Sequence, residues 1–290
     1  MPTLLRHATL ITAADTFQAD LLIEGEHIAA IGEDLPAAGA DVVEAAGLYA
    51  LPGGVDVHTH LELPMMGTVA SDDFYTGHKA AAFGGTTTHI DFACQYKGET
   101  LQQALDTWHS RARPKAVIDY GFHMTITDPT DAVLAEIPQM ARQGVTTIKL
   151  LLAYKGRLQV DDTALFKTLQ ITADHGMLTM AHAENGDAIE LLAQAALARG
   201  DASAIWHALT RPDWLEGEAT GRAIALAAVA HAPLYIVHVT SAKALDQIAY
   251  GRARGAQVMA ETCVQYLHFT LDHLRRVDGA KWVCSPPFRT

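Results

Sequence analysis

The segment LPGGVDVHTHLELP, residues 51–64, closes an apolar run with two histidines one residue apart. In an extended strand alternate side chains share a face, so His58 and His60 would project together while Val57 and Thr59 point the other way. Two neutral imidazoles aimed at one point can chelate a divalent metal. The pair equally suits a polar strand end with two hydrogen-bonded histidines, and a short motif alone does not separate the two readings. Three more residues bear on the choice. Lys149 lies in TTIKLLLAY among residues that should be buried, where an unpaired ammonium is costly and burial lowers a lysine pKa. It could snorkel to the strand end or pair with an acid. Deprotonated, it could instead take up carbon dioxide as a carbamate, an anionic ligand whose two oxygens can bridge two metal ions. His182 in LTMAHAEN and His238 in LYIVHVTS each close a later apolar run. Either alone fits a satisfied core residue; four histidines and a buried lysine at corresponding places point to a metal centre.

Such a centre needs a scaffold that brings distant segments to one end. From residue 50 onward apolar runs alternate with amphipathic segments. Strands are expected at GVDVHTH, TTTHIDFA, VIDYGFHMTI, VTTIKLLLAY, MLTMAHAEN, LYIVHVTS and AQVMAETC. Helices are expected between them, as in TLQQALDTWHSRA and DDTALFKTLQITADHG, several opening on Asp or Ser and closing on Gly. This alternation predicts an α/β fold, a (β/α)8 TIM-like barrel lacking its eighth strand. Barrel enzymes carry their chemistry at the carboxyl ends of strands, and the five residues fall at the ends of, or within, the first, fourth, fifth and sixth. Asp91, Glu184, Glu261 and His89 also lie near strand ends and suit hydrogen-bonded support of the ligands. Residues 1–49 read instead as short strands broken by turns, LLRHATLI, DLLIEGEHIAAIG and DVVEAAGLYA, a small β-sandwich module that is incomplete. The expected domains are therefore 1–49 and 50–290.

Composition narrows the partners. A formal net charge of −12 over 290 residues argues against nucleic acid or an anionic membrane. No apolar run approaches the ~20 residues of a membrane span, and the first residues lack the zones of a signal peptide, so a cytoplasmic protein is expected. Cys94, Cys263 and Cys284 are scattered, as reduced, buried thiols would be.

Nine ordered blocks resemble the cyclic-amidase branch of the amidohydrolase superfamily, the dihydropyrimidinases and D-hydantoinases. They are PGGVDVHTHLELPMMGTVASDDFYTG, AAFGGTTTHIDF, KAVIDYGFHM, IKLLLAYKG, AHAENGD, EGEATGRAIALA, LYIVHVTSA, ETCVQYL and CSPPFR. The resemblance implies two zinc ions: one held by His58, His60 and the carboxylated Lys149, the other by Lys149, His182 and His238. It makes Tyr154 the donor to the oxyanion and Ser285 a residue that holds the substrate ring through its main chain. It also implies a small cyclic amide as substrate and a homo-oligomer, dimer or tetramer, in the complete form. Val264 stands where relatives usually carry proline, a change of loop stiffness. Relatives continue into an eighth strand with a metal-binding, proton-shuttling aspartate, then a substrate-contacting asparagine and strands that complete the β module; the resemblance therefore implies a C-terminally truncated chain.

The expected reaction is hydrolytic opening of a hydantoin or a 5,6-dihydropyrimidine by a metal-bridging hydroxide. The loops 61–71 and 155–160, with Leu63, Met65, Met66 and Leu158, are expected to line a pocket for an apolar ring substituent. Two alternatives remain. A dihydroorotase or allantoinase is disfavoured at Glu62, where dihydroorotase-like members carry arginine for a substrate carboxylate. A noncatalytic structural relative of the same fold would lack the metal ligands.

Overall fold

The computed structural model describes residues 1–65 and 67–290; Met66 lies outside the described residues. β1 (Thr3–Ile11), β2 (Thr16–Glu24), β3 (His27–Gly32), β4 (Asp41–Glu44) and β5 (Tyr49–Ala50) make a mixed sheet in the order β3-β2-β1-β4, with β5 also on β1. Its small core is Ala8, Leu10, Ala19 and Ala45. DLLIEGEHIAAIG is not one strand but parts of two, because Gly25 at φ +61 turns the chain between β2 and β3.

A seven-stranded sheet carries the chemistry. It begins at β6 (Gly54–Thr59); a two-stranded pair, β7 (Pro64–Met65) and β8 (Thr68–Val69), follows separately. The large sheet continues with β9 (Thr86–Gln95), β10 (Asp119–Ile126), β11 (Thr147–Leu151), β12 (Leu178–His182), β13 (Leu234–Ile236) and β14 (Val258–Ala260). Its spatial order β14-β13-β12-β11-β10-β9-β6 is the chain order, parallel from β10 to β14, as in a TIM-type barrel.

The helices are α1 (Phe74–Phe83), α2 (Leu101–Ala112), α3 (Asp131–Leu134), α4 (Ile137–Arg142), α5 (Asp162–Asp174), α6 (Gly186–Ala198), α7 (Ile205–Leu209), α8 (Asp213–Val229) and α9 (Ala242–Ala253). Side chains of Thr100, Asp161, Asn185 and Ser241 accept from the first turns of α2, α5, α6 and α9. Caps of this kind are worth about 1 kcal/mol each. Residues 131–142 form two short helices rather than one, with Pro138 in the first turn of the second, where its missing N–H costs nothing. No described helix is long and apolar enough to cross a membrane.

Strand alternation divides the barrel residues between two environments. Met124, Ile148, Leu150 and Ala181 join the large core with Phe74, Trp108, Ile137, Leu165 and Ile248. Phe92, Met180 and Val237 form a separate apolar group. The chain divides into two compact units, Met1–Val55 with Ala81–Thr88, and Asp56–Ala80 with His89–Thr290.

Two buried histidines make this second unit sensitive to acid. His78 is 1% exposed and its Nδ1 accepts from the Val117 N–H at 3.1 Å, while His123 is 5% exposed and its Nε2 lies 3.0 Å from the Val57 carbonyl. Burial pushes both down to about 4 from the ordinary 6.5. The unfolded chain therefore binds more protons between those values, so stability is complete above about pH 6.5 and falls as pH drops toward 4. Each group should remove on the order of 1–3 kcal/mol over that window. Denaturant midpoints measured from pH 7 downward should decline accordingly, and His78→Gln should flatten the decline. A flat profile in the unmodified protein would show that neither imidazole is protonated on unfolding.

Candidate active site

His58 lies in β6 and His60 one residue beyond its end; Lys149 is the middle residue of β11 and His182 the last of β12. His238 sits two residues past β13. The strand expected through His238 stops earlier because that residue has φ +39, outside the range of a β-strand. The structure nevertheless brings the imidazoles together. Ring centroids are 5.3 Å apart for His58 and His60, 5.4 Å for His58 and His238, and 4.6 Å for His182 and His238. Phe92 packs against this group, 4.7 Å from His58 and 4.9 Å from His60, and the Lys149 ammonium lies 5.2 Å from the Phe92 ring centre.

Two carboxylates fix the tautomers. Glu261, just after β14, meets His58 Nδ1 and accepts from the Tyr235 hydroxyl at 3.1 Å. Glu184 Oε2 lies 2.7 Å from His182 Nε2. Burial works against ionisation of both acids, but their histidine partners hold each carboxyl below its usual range. A carboxylate only accepts, so each imidazole places its proton there and turns its other nitrogen into a lone pair. His182 Nδ1 then accepts from His238 Nε2 at 2.9 Å, and His238 Nδ1 is buried without a partner. Burial lowers the pKa of His58, and of His238 well below the ordinary value, keeping both neutral.

Asp91 and His89, which share the strand-end signal of Glu184 and Glu261, serve elsewhere. They stand on the face of β9 opposite Phe92: Asp91 Oδ2 accepts from the Leu61 N–H at 2.8 Å, and the His89 ring packs 4.3 Å from His78. His123, in β10, also stands beside the site, its ring 4.7 Å from that of Phe92. Its alternation with core residues Phe122 and Met124 is the sequence signal for that placement.

Lys149 is 4% exposed, and among the described residues no carboxylate lies within ion-pair distance of it. Burial lowers it to about 7, against a smaller opposing effect of Glu261. The amine is thus substantially uncharged near neutrality, the form that attacks carbon dioxide.

Tyr154 follows β11 at φ +70, its carbonyl accepting from the N–H groups of Arg157, Leu158 and Gln159 at 3.0, 3.1 and 3.3 Å. Gly186 permits this turn to pack on α6: a Cβ there would stand 2.6 Å from Ala153 Cα. The Tyr154 ring lies 5.2 Å from that of His182. Burial, then the charge of Glu184, pushes that phenol up to about 12. In the apolar loops, Leu63 packs in the large core, Met65 is exposed and Leu158 half-buried. Glu62 is engaged by Lys115 at 2.6 Å.

Among the described residues no three His, Cys, Asp or Glu side chains stand ready-made around a metal ion. By donor chemistry the cluster fits one: lone pairs on buried imidazoles, an orphaned His238 nitrogen and an uncharged lysine are what zinc with a carbamate ligand would use.

The amidohydrolase family profile matches residues 49–264. The chain is 50% identical over 292 residues to a D-hydantoinase of Geobacillus stearothermophilus, covering all of this chain and 62% of the relative. It is 38% identical to a dihydropyrimidinase of Arabidopsis thaliana, covering 99% of this chain and 54% of the relative. The crystal structure of a dihydropyrimidinase from Brevibacillus agri superposes with a TM-score of 0.98 at 52% identity, covering all of this chain and 63% of that one. The chain thus spans less than two thirds of the length of these relatives.

Proposed function

The chain belongs to the amidohydrolase family, and on that footing we propose that the protein hydrolyses cyclic amides and imides, opening hydantoins and 5,6-dihydropyrimidines. The observation that carries the proposal is the convergence of His58, His60, His182 and His238 beside a buried Lys149 and Tyr154. The names of the relatives, D-hydantoinase and dihydropyrimidinase, support the substrate class. The reading includes a homo-oligomer in the cytoplasm.

His58, His60 and Lys149, carboxylated on Nζ, would hold one zinc ion, and Lys149, His182 and His238 the second. Bound there, the ions supply a Lewis acid for the ring carbonyl and bring the pKa of a water molecule toward neutrality. The protein's own groups do the rest. Glu261 and Glu184 hold His58 and His182 in the tautomers whose lone pairs lie on Nε2 and Nδ1, the latter accepting from His238. Phe92, Met180 and Val237 keep water away from the base of the cluster. Tyr154, protonated throughout the neutral range, donates to the oxygen that gains charge as the carbonyl becomes tetrahedral. The main chain at Ser285 holds the ring. At Glu62 no cation is offered to a substrate carboxylate, since its own carboxylate is paired with Lys115.

The test is a panel of dihydrouracil, hydantoin, 5-phenylhydantoin, allantoin and dihydroorotate, run on the purified full-length protein together with its zinc content. Turnover of the first three by a protein with two zinc ions per chain is expected. A preference for dihydroorotate, or a protein that binds no metal and opens no ring, would overturn the assignment.

A further inference from the structure

His207 lies in the short helix α7, outside the metal cluster, yet its contacts lead to the substrate side of the site. Its Nε2 is 2.8 Å from the Cys284 carbonyl and 3.1 Å from Ser285 Oγ, and its Nδ1 is 3.1 Å from Arg211 Nη1. A carbonyl only accepts and a guanidinium only donates, so the proton is on Nε2 and the lone pair on Nδ1. Burial, then the Arg211 charge, pushes His207 down to about 4, which keeps that arrangement through the neutral range.

The other side of the imidazole is anchored. The Arg211 carbonyl accepts from Arg289, whose guanidinium also donates to Glu216 at 2.9 Å and to the Thr240 hydroxyl at 3.1 Å. Glu216, 3% exposed, accepts in turn from the Thr240 N–H at 2.7 Å. Past Ser285 the segment is held again, by the Tyr266 hydroxyl donating to the Pro286 carbonyl at 2.7 Å. Cys284 and Ser285 are therefore suspended between two fixed points, and one of them is His207.

The geometry points to His207 as a positioning residue that sets the Cys284–Ser285 main chain for binding of the substrate ring. This rests on the ring-opening reading and deepens it. Glutamine can extend an N–H to where Nε2 now stands; asparagine, one methylene shorter, cannot.

In the full-length protein, His207→Asn should raise KM for hydantoin about tenfold, the worth of one hydrogen bond of about 1.4 kcal/mol, with a smaller change in kcat. His207→Gln should restore most of it. Hydrogen exchange at the Cys284 and Ser285 amides should quicken in the asparagine variant and return toward normal in the glutamine variant, whether or not the protein turns over substrate. Zinc content should match the unmodified protein in both, and melting temperature should fall by no more than about 2–4 °C. If exchange responds as described while no variant, nor the unmodified protein, opens a ring, the positioning role stands and the substrate assignment fails. Equal KM and equal exchange in all three proteins, or equal damage by asparagine and glutamine, would overturn the role of His207.

Discussion

Lys149→Ala is expected to strip metal and activity together, lowering kcat/KM by on the order of 10³-fold or more, the scale of several kcal/mol of lost charge stabilisation. Lys149 is 4% exposed, its ammonium stands 5.2 Å from the Phe92 ring centre, and it has no acid at ion-pair distance among the described residues. As a plain ammonium it is destabilising in that place; its low pKa of about 7 supplies the neutral amine that carboxylation needs. Alanine leaves a gap the size of the lysine stem and of the carbamate proposed for it. Short carboxylic acids such as acetate and propionate, which bring the two oxygens back, should therefore restore part of both metal binding and turnover. The measurement is zinc per chain beside turnover number, with and without added acid. Full zinc occupancy and near-normal turnover in the alanine variant would remove Lys149 from the centre.

Tyr154→Phe should cost roughly 10²-fold or more in kcat, the usual effect of deleting one donor to a developing oxyanion. Phenylalanine keeps the ring that packs 5.2 Å from His182 and removes only the hydroxyl. Because burial pushes that hydroxyl up to about 12, it is a donor and not a phenolate at any working pH. Its hydrogen bond gains most when the carbonyl oxygen becomes negative, so KM should move much less than kcat. A variant whose loss lay entirely in KM would make Tyr154 a residue of substrate binding.

The parts of the site that follow strand periodicity were legible in the sequence. His58, Lys149 and His182 lie in strands, and Lys149 is separated from the helix-facing Ile148 and Leu150 by simple alternation. His238 was legible as a residue but not as a geometry, since the break at φ +39 that ends β13 early has no marker such as glycine. Four acids and histidines near strand ends looked alike, and only contact separates them: Glu184 and Glu261 reach imidazoles, whereas Asp91 reaches the Leu61 N–H across the opposite face. Which face of β9 looks inward depends on what meets Phe92, and that is information held by other strands. His207 was invisible for a stronger reason. Its partner is 77 residues away in the chain, and no local pattern encodes a contact of that span.

Glu62 shows how one ion pair can constrain the evolution of substrate choice. In dihydroorotase-like relatives this position carries arginine for a substrate carboxylate, so Glu62→Arg would look like a single step toward a new specificity. Here Glu62 has φ +52, its carboxylate meets Lys115 at 2.6 Å, and its carbonyl accepts from Arg111 at 3.2 Å. An arginine introduced alone would place three cations around one loop, with Asp73, 3.3 Å from Lys115, as the acid left to offset them. Lys115 has to change first or at the same time. Positions 62 and 115 are thus coupled, and the effect of a charge change at one depends on which residue stands at the other.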